Sequence, residues 1–273
     1  MSISNFDGLR TQIVASANEL PKKLAQAAHY ALAHPDDIAL GTAASIAKAA
    51  GVQPSTLVRL AQQLGFTGFS EFQAVFRGRL KVRASTYEER LAQLASGEIS
   101  PDPDAALLTG FINAAQQSLE TLAATIDTAI FSQAAKMLAK ADIIYLVAQR
   151  RLFPLATHMA YSFSQLGVRS ILLDSANQTH LDQLKLASQN DSAILCSFSP
   201  YAPETVAFAA NLAARNIPCL AITDSALSPL AAKATHWLEV AESDFAGFRS
   251  LSAGMALATA LPVAIAEHRR LNP

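Results

Sequence analysis

Cysteine is nearly absent: Cys196 and Cys219 are the only two in 273 residues. Both lie in apolar runs, so a disulfide scaffold is excluded and buried free thiols are expected. Charge is sparse as well. Charged residues make up 16% of the chain and the formal net charge is −1, a balance that by itself suggests no polyanionic partner. No run reaches the roughly 18 to 20 uninterrupted apolar residues that a membrane-spanning helix needs. The opening MSISNFDGLRTQ lacks the basic-then-apolar order of a secretory leader. The chain therefore reads as soluble and cytoplasmic. The patterns G-x-x-x-x-G-K-S/T, G-x-G-x-x-G and G-x-S-x-G are also missing, which argues against common nucleotide-binding and hydrolase sites. His29, His34, His158, His180, His236 and His268 show no ligand spacing with cysteine or carboxylate, so neither a metal nor another cofactor is expected.

What is abundant is apolar side chain, at 51% of the residues, enough for one large core or two ordinary ones. The pattern changes along the chain. From Leu9 to about Leu94 apolar residues recur at three- and four-residue spacing, which predicts helices throughout. The segment SGEISPDPD (96–104) is polar and carries Pro101 and Pro103, so it reads as a linker. Two helices follow, near 105–124 and 128–139. Short apolar runs then alternate with amphipathic helices: IIYLV (143–147), helix 154–166, SILLD (170–174), helix 180–188, AILC (193–196), helix 204–215, CLAIT (219–223), a short helix near 228–233, HWLEV (236–240), and a long helix over about 248–269. That rhythm predicts a five-stranded parallel sheet with helices on both faces. The expected organisation is an α-helical domain over 1–95, a linker over 96–104, and an α/β domain over 105–273.

Charge is unevenly placed. Between positions 48 and 83 Lys48, Arg59, Arg77, Arg79, Lys81 and Arg83 face only Glu71, a local cationic surface suited to phosphates. Within it lies TAASIAKAAGVQPSTLVRLAQQLGFTGFSEF (42–72). A short helix meets Gly51, a helix terminator, and Pro54 stands where a second helix can begin. Leu57, Leu60, Ala61 and Leu64 fall on one stripe, leaving Ser55, Arg59, Gln62 and Gln63 on the other side. This spacing describes either a helix-turn-helix or a helical hairpin with a solvated polar face. In the first reading, Gln53, Ser55, Thr56, Arg59, Gln62 and Gln63 face base edges, while Lys48 and the basic run at 77–83 rest on phosphates.

The run LPKKLAQAAHYALAHPDDIAL…SIAKAAGVQPSTLVRLAQQLGFTGFSEFQ resembles the N-terminal domain of RpiR/MurR-type transcriptional regulators, which join a helix-turn-helix to a SIS (sugar isomerase) domain. The resemblance covers about residues 20–80 and implies that Ser55, Thr56 and Arg59 belong to a recognition helix. Gln53 departs from the family, which often has a helix-capping serine there, so the cap must come from elsewhere.

In the α/β half, ligands are expected beyond the carboxyl ends of the strands, where strand order reverses. The turn AQRRLFP (148–154) offers Arg150 and Arg151 to a phosphate or carboxylate, or is simply an exposed pair. The stretch SFSPYAPET (197–205) offers Ser197, Ser199, Tyr201, Glu204 and Thr205 ahead of a helix start, or is ordinary turn chemistry. The segment ITDSALSPLAAKATHWLEV (222–240) is similar to the SIS pattern "ITDS-x-x-SPLA-x-x-A", and SFS…ET to its sugar-phosphate loop "S-x-S-G-E-T". The resemblance implies that 197–205 is the phosphate cradle. Two departures stand out. Pro200-Tyr201-Ala202-Pro203 replaces the loop glycine, and Ala148-Gln149-Arg150 replaces the usual G-x-S turn. ALSP (226–229) and GFRSL (247–251) are placed to add a second polar wall.

His180 and Asp182 start a helix near the expected pocket mouth and are weighed as ligand contacts. Glu267 and His268 are weighed as an acid/base pair and set aside as part of a charged chain end. No catalytic residue is assigned. The expectation is a DNA-binding transcription regulator and not an enzyme. Its SIS domain would sense a phosphorylated sugar or related acidic metabolite, and its partners would be operator DNA and a second copy in a homo-oligomer. The rival is a SIS-type sugar-phosphate isomerase with an appended helical domain; a third reading makes the helical domain a protein-interaction module.

Overall fold

The computed structural model describes residues 6–16, 20–84, 102–173 and 180–271. The chain divides into two compact units, residues 1–99 and 100–273.

The first unit is helical: α1 (Phe6–Ser16), α2 (Lys22–Ala33), α3 (Pro35–Leu40), α4 (Ala43–Ala50), α5 (Pro54–Gln63) and α6 (Phe69–Ala84). Pro35 ends α2 and opens α3, because a proline cannot continue a helix but fits its first turn; Asp36 and Asp37 in that turn suit the positive end of the helix dipole. Leu9, Ile38, Ile46, Leu57, Leu60, Phe72 and Phe76 fill one core. Gln73 lies buried in it and donates to the carbonyls of Ile38 and Gly41, each across 2.8 Å, tying α6 to the end of α3.

The second unit runs α7 (Pro103–Thr125), α8 (Thr128–Ala139), β1 (Ile144–Ala148), a 3₁₀ turn (Arg150–Leu152), α9 (Phe153–Gln165), β2 (Ser170–Leu172), α10 (His180–Lys185), β3 (Ser192–Ser197), α11 (Pro203–Ala214), β4 (Cys219–Thr223), β5 (His236–Glu239), a hairpin of β6 (Asp244–Phe245) and β7 (Phe248–Arg249), and α12 (Ser252–Leu271). The five longer strands form a parallel sheet in the order β2-β1-β3-β4-β5. Period-two alternation divides their side chains. Ile144, Leu146, Ile194, Cys196, Leu220 and Ile222 join α8, α9 and α12 in one layer. Tyr145, Val147, Ala193, Leu195, Cys219 and Ala221 join α11 in the other. Cys196 and Cys219 thus face opposite sides of the sheet, and both thiols are free and buried.

Three local expectations change. Pro103 and Asp104, expected in the linker, already belong to α7, because the Asp102 carboxylate accepts the amide of Ala105 and caps the helix two residues early; residues 96–101 lie outside the described residues. Residues 228–233 form turns and not a helix. There the Ser225 and Ser228 hydroxyls take the amides of Leu227 and Leu230, competing with helical bonds. The last helix begins at Ser252, not near 248. Ala246 and Gly247 adopt φ of 51° and 81°, the geometry of a tight two-residue hairpin, so Phe248 and Arg249 pair back on Asp244 and Phe245. Strands of two residues are too short to show a period.

Candidate functional site

In the first unit the geometry centres on α4, the turn after it, and α5. Thr42 Oγ1 accepts the amide of Ser45 across 3.1 Å, and Ser45 Oγ accepts the amide of Thr42 across 2.9 Å, a reciprocal cap that fixes the start of α4. Gly51 ends α4 at φ 65°, a conformation that costs a side chain and suits glycine. Gln26 of α2 donates to the Ala50 carbonyl across 2.8 Å and Lys23 to that of Gly51 across 3.3 Å, so the turn is braced from behind. Gln53 precedes α5 without a side-chain cap bond, in keeping with its departure from serine.

Leu57, Leu60 and Ala61 are buried, while Gln53, Ser55, Arg59, Gln62 and Gln63 are exposed and Thr56 is half-buried. Lys48 is exposed in the last turn of α4. The basic run divides differently from expectation. Arg79 pairs with Asp36 at 2.9 Å and lies over the Phe6 ring, its side chain only 8% exposed. Arg77 donates to the Ala39 carbonyl across 3.0 Å and to Gln73 across 2.8 Å. Both arginines brace α6 against its own unit: Arg77 reaches the free carbonyl of Ala39 at the end of α3, and Arg79 the Asp36 carboxylate in its first turn. The side chains of Lys81 and Arg83 lie outside the described residues.

In the second unit strand order reverses between β1 and β3, and in open α/β sheets ligands commonly bind beyond the carboxyl ends of the strands at such a reversal. The two expected loops flank it. Arg150 takes φ 55°, unusual for a residue with a side chain, and points into solvent. Arg151 lies with its guanidinium carbon 5.6 Å from the centre of the Phe198 ring. Part of Arg151 stays open to solvent, yet desolvation by the surrounding protein and the like charge of Arg249 depress its pKa, against the opposing pull of Asp224 and Glu242.

After β3 the chain turns through a cis Ser199–Pro200 peptide. Ser197 is buried and its hydroxyl accepts the amide of Ala202 across 3.0 Å. Ser199 is half-buried: its amide donates to Asp224 Oδ2 across 2.9 Å and its carbonyl accepts from Arg249 Nη1 across 2.9 Å. Tyr201 is half-buried and Glu204 exposed. Thr205 is fully buried and its hydroxyl lacks a hydrogen-bond partner.

Three participants were not assigned from sequence. Asp224 follows β4, Glu242 precedes the hairpin, and Arg249 is the last residue of β7. Glu242 Oε1 accepts the amide of Gly254 across 2.8 Å in the first turn of α12. The GFRSL stretch points to Arg249, and Asp224 lies within the ITDS motif without a role read from it; nothing in the local pattern points to Glu242. The side chains of His180 and Asp182 lie outside the described residues. Glu267 forms a fork with Arg270 at 2.6 and 2.9 Å on an exposed helix end.

Comparison with known proteins covers both units. Residues 7–82 match the helix-turn-helix domain of the rpiR family, and residues 137–266 match the SIS domain. A curated HTH-type transcriptional regulator of Haemophilus influenzae is 27% identical over 215 residues, spanning 76% of this chain and 70% of that protein. Among solved structures, the Vibrio vulnificus NanR protein complexed with ManNAc-6P is similar over 96% of this chain and 93% of its own, with a TM-score of 0.58 and 20% identity. The sugar isomerase domain of an RpiR transcription factor from Sphaerobacter thermophilus covers 60% of this chain and 92% of its own, with a TM-score of 0.57 and 24% identity. Among the described residues, no helix is long and apolar enough to cross a membrane.

Proposed function

The chain belongs to the RpiR family of helix-turn-helix regulators that carry a SIS domain, and we propose that it binds operator DNA through α5 and is tuned by a small acidic metabolite in the crevice beyond β1 and β3. The observation that carries the first half is the division of α5: Leu57, Leu60 and Ala61 are buried, while Ser55, Arg59, Gln62 and Gln63 stand together on the open side. A helix in the major groove needs donors and acceptors of this kind near its start, and arginine can grip guanine through two bonds. Lys48, on the neighbouring helix, is placed for a phosphate.

The second half rests on the loops after β1 and β3 meeting at the strand-order reversal, with the phosphosugar complex of the related NanR fold as support for an anionic ligand. Ligand binding that favours one arrangement of a paired regulator over another shifts its DNA affinity by that difference.

A single recognition helix reads a short site, so two-fold pairing is part of the proposal. Helix α7 supports it. Ala114, Ser118 and Leu122 are its buried face, while Leu108 and Ile112 are 63% and 46% exposed. We assign this apolar stripe to a second copy of the chain.

The isomerase reading needs a base poised beside two sugar carbons, and no residue is assigned that role. The deciding experiment is fluorescence anisotropy with promoter DNA at several salt concentrations, with and without metabolites. Tight, salt-dependent binding that a metabolite changes supports the proposal; turnover of a sugar phosphate without DNA binding replaces it with the isomerase.

A further inference from the structure

Helix α5 keeps its large apolar side chains inside with one exception. Leu57 and Leu60 are 0% exposed, whereas Val58 is 38% exposed. Among the described residues of the helical unit, Leu40 and Val58 are the exposed large apolar side chains; Leu40 ends α3, and Val58 stands on α5. A single apolar residue on a surface is ordinary, so the position of this one carries the argument.

Helical spacing sets its neighbours. Val58 follows Ser55 by three residues and precedes Gln62 by four, and Arg59 follows Ser55 by four, so these side chains share one outward ridge. Pro54 is exposed at the first position of the helix. It stands one turn before Val58 and has no amide hydrogen to donate. Helical side chains lean towards the N-terminus, which carries the Val58 methyls over the turn that Pro54 and Ser55 open. The result is a small apolar ledge at the start of α5, flanked by a hydroxyl, a guanidinium and an amide.

Helix stability does not account for a valine there. On an exposed position it gains little burial, and its branched side chain has a lower helix propensity than alanine or leucine. What branching supplies is a fixed shape. Valine holds nearly one rotamer in a helix, so both methyls are set before anything meets them. The side chains at 55, 56 and 58 are also short. They let the start of the helix approach the floor of a groove, while Arg59 and Gln62 have the length to reach along it.

Resting on the DNA-binding reading above, we infer that Val58 selects an A·T pair by packing its methyls against the thymine C5-methyl group. In the major groove that methyl is the apolar feature among donors and acceptors. Ser55, Arg59 and Gln62 are suited to the polar atoms of the bases, so the methyl falls to the apolar member of the ridge. Adjacent Cα atoms are about 3.8 Å apart and base pairs rise by about 3.4 Å. The thymine is therefore expected within about two base pairs of the base that Arg59 reads.

The test uses the full chain and the shortest promoter duplex that it protects from nuclease. Each thymine is replaced in turn by deoxyuridine, which pairs identically and lacks only the methyl. Affinity is read by anisotropy at fixed salt. One thymine in each half-site is expected to respond, its replacement weakening the parent about fourfold, as for one buried methyl. Val58→Ala is expected to weaken the unmodified duplex by a similar factor. It should then respond less than about twofold to deoxyuridine at that thymine, the non-additivity of a direct contact. Its melting temperature and salt slope should match the parent's, because neither the core nor a charge is altered.

A parent indifferent to every deoxyuridine overturns the inference. So does a Val58→Ala protein that keeps the parent's full response, for then another residue meets the methyl. The DNA-binding reading is judged separately through Arg59→Ala. Relaxed base preference in that variant, with no deoxyuridine response in the parent, spares the reading and sinks the inference; absence of any duplex binding sinks both.

Discussion

Arg249 Nη1 donates to the carbonyl of Ser199 across 2.9 Å, joining the hairpin before the last helix to the loop after β3. Asp224 holds the amide of the same residue, so both ends of the Ser199 backbone are gripped by charged side chains. The loop carrying the expected ligand residues is thus set by groups from two later segments.

Arg59→Ala should weaken operator binding by about 1–3 kcal/mol and relax the base preference at one position. Arg59 is exposed, so the melting temperature should stay close to that of the parent. Anisotropy against a panel of single-base operator variants checks both parts, and an unchanged panel removes Arg59 from the reading face.

Lys48→Ala should act differently. A phosphate contact carries no sequence information, so affinity should fall evenly across all operator variants, and the slope of log K against log salt should shallow by about 1.

Thr42→Ala removes the acceptor for the Ser45 amide and should destabilise the helical unit by about 1 kcal/mol. Urea unfolding followed by circular dichroism measures it. Thr42→Ser, which keeps the hydroxyl, should recover most of the loss.

Burial pushes the Cys196 thiol up to about 12 from an ordinary 9.0. The unfolded state therefore gives up this proton first. The stability linked to it is complete below pH 9 and declines as pH rises from there towards 12, by about 1.4 kcal/mol per pH unit. Cys196→Ala should show a shallower alkaline decline in urea titrations, and the native parent should resist thiol reagents at pH 8; rapid labelling of Cys196 in the folded protein contradicts its burial.

Leu108→Asp together with Ile112→Asp should split the paired regulator, because each places a charge in the stripe assigned to a second copy. Light scattering after size-exclusion chromatography should show half the parent mass, with intact secondary structure. A parent that is already monomeric removes α7 from that role.

Much of this fold was legible before any coordinates. Leu57, Leu60 and Ala61 repeat at helical spacing because one side of α5 faces a core, and that same repeat leaves Arg59 outside. The strand CLAIT reads as buried because its apolar run has no polar face, and Cys219 follows from it. Asp224 stands in the ITDS motif, but its grip on the Ser199 amide, 25 positions away, is not written there. Glu242 is a single acidic residue beside a strand end, with no spacing to set it apart, and its bond to the Gly254 amide appears only in the fold. Arg79 misleads in the other direction: a cationic run suggests phosphate, and only the path of α3 beside α6 shows that this side chain turns inward to Asp36, while Arg77 stays exposed and bonds the Ala39 carbonyl.

The linear chain by itself settled the two-unit plan, the helical character of the first unit, the parallel sheet of the second, and the loops at its strand ends. These are local matters, since burial imprints its period on neighbouring residues. Only the folded molecule decided which charges meet. Ser199 and Arg249 are 50 positions apart, and no period links residues at that distance; the crossing of the chain brings them together.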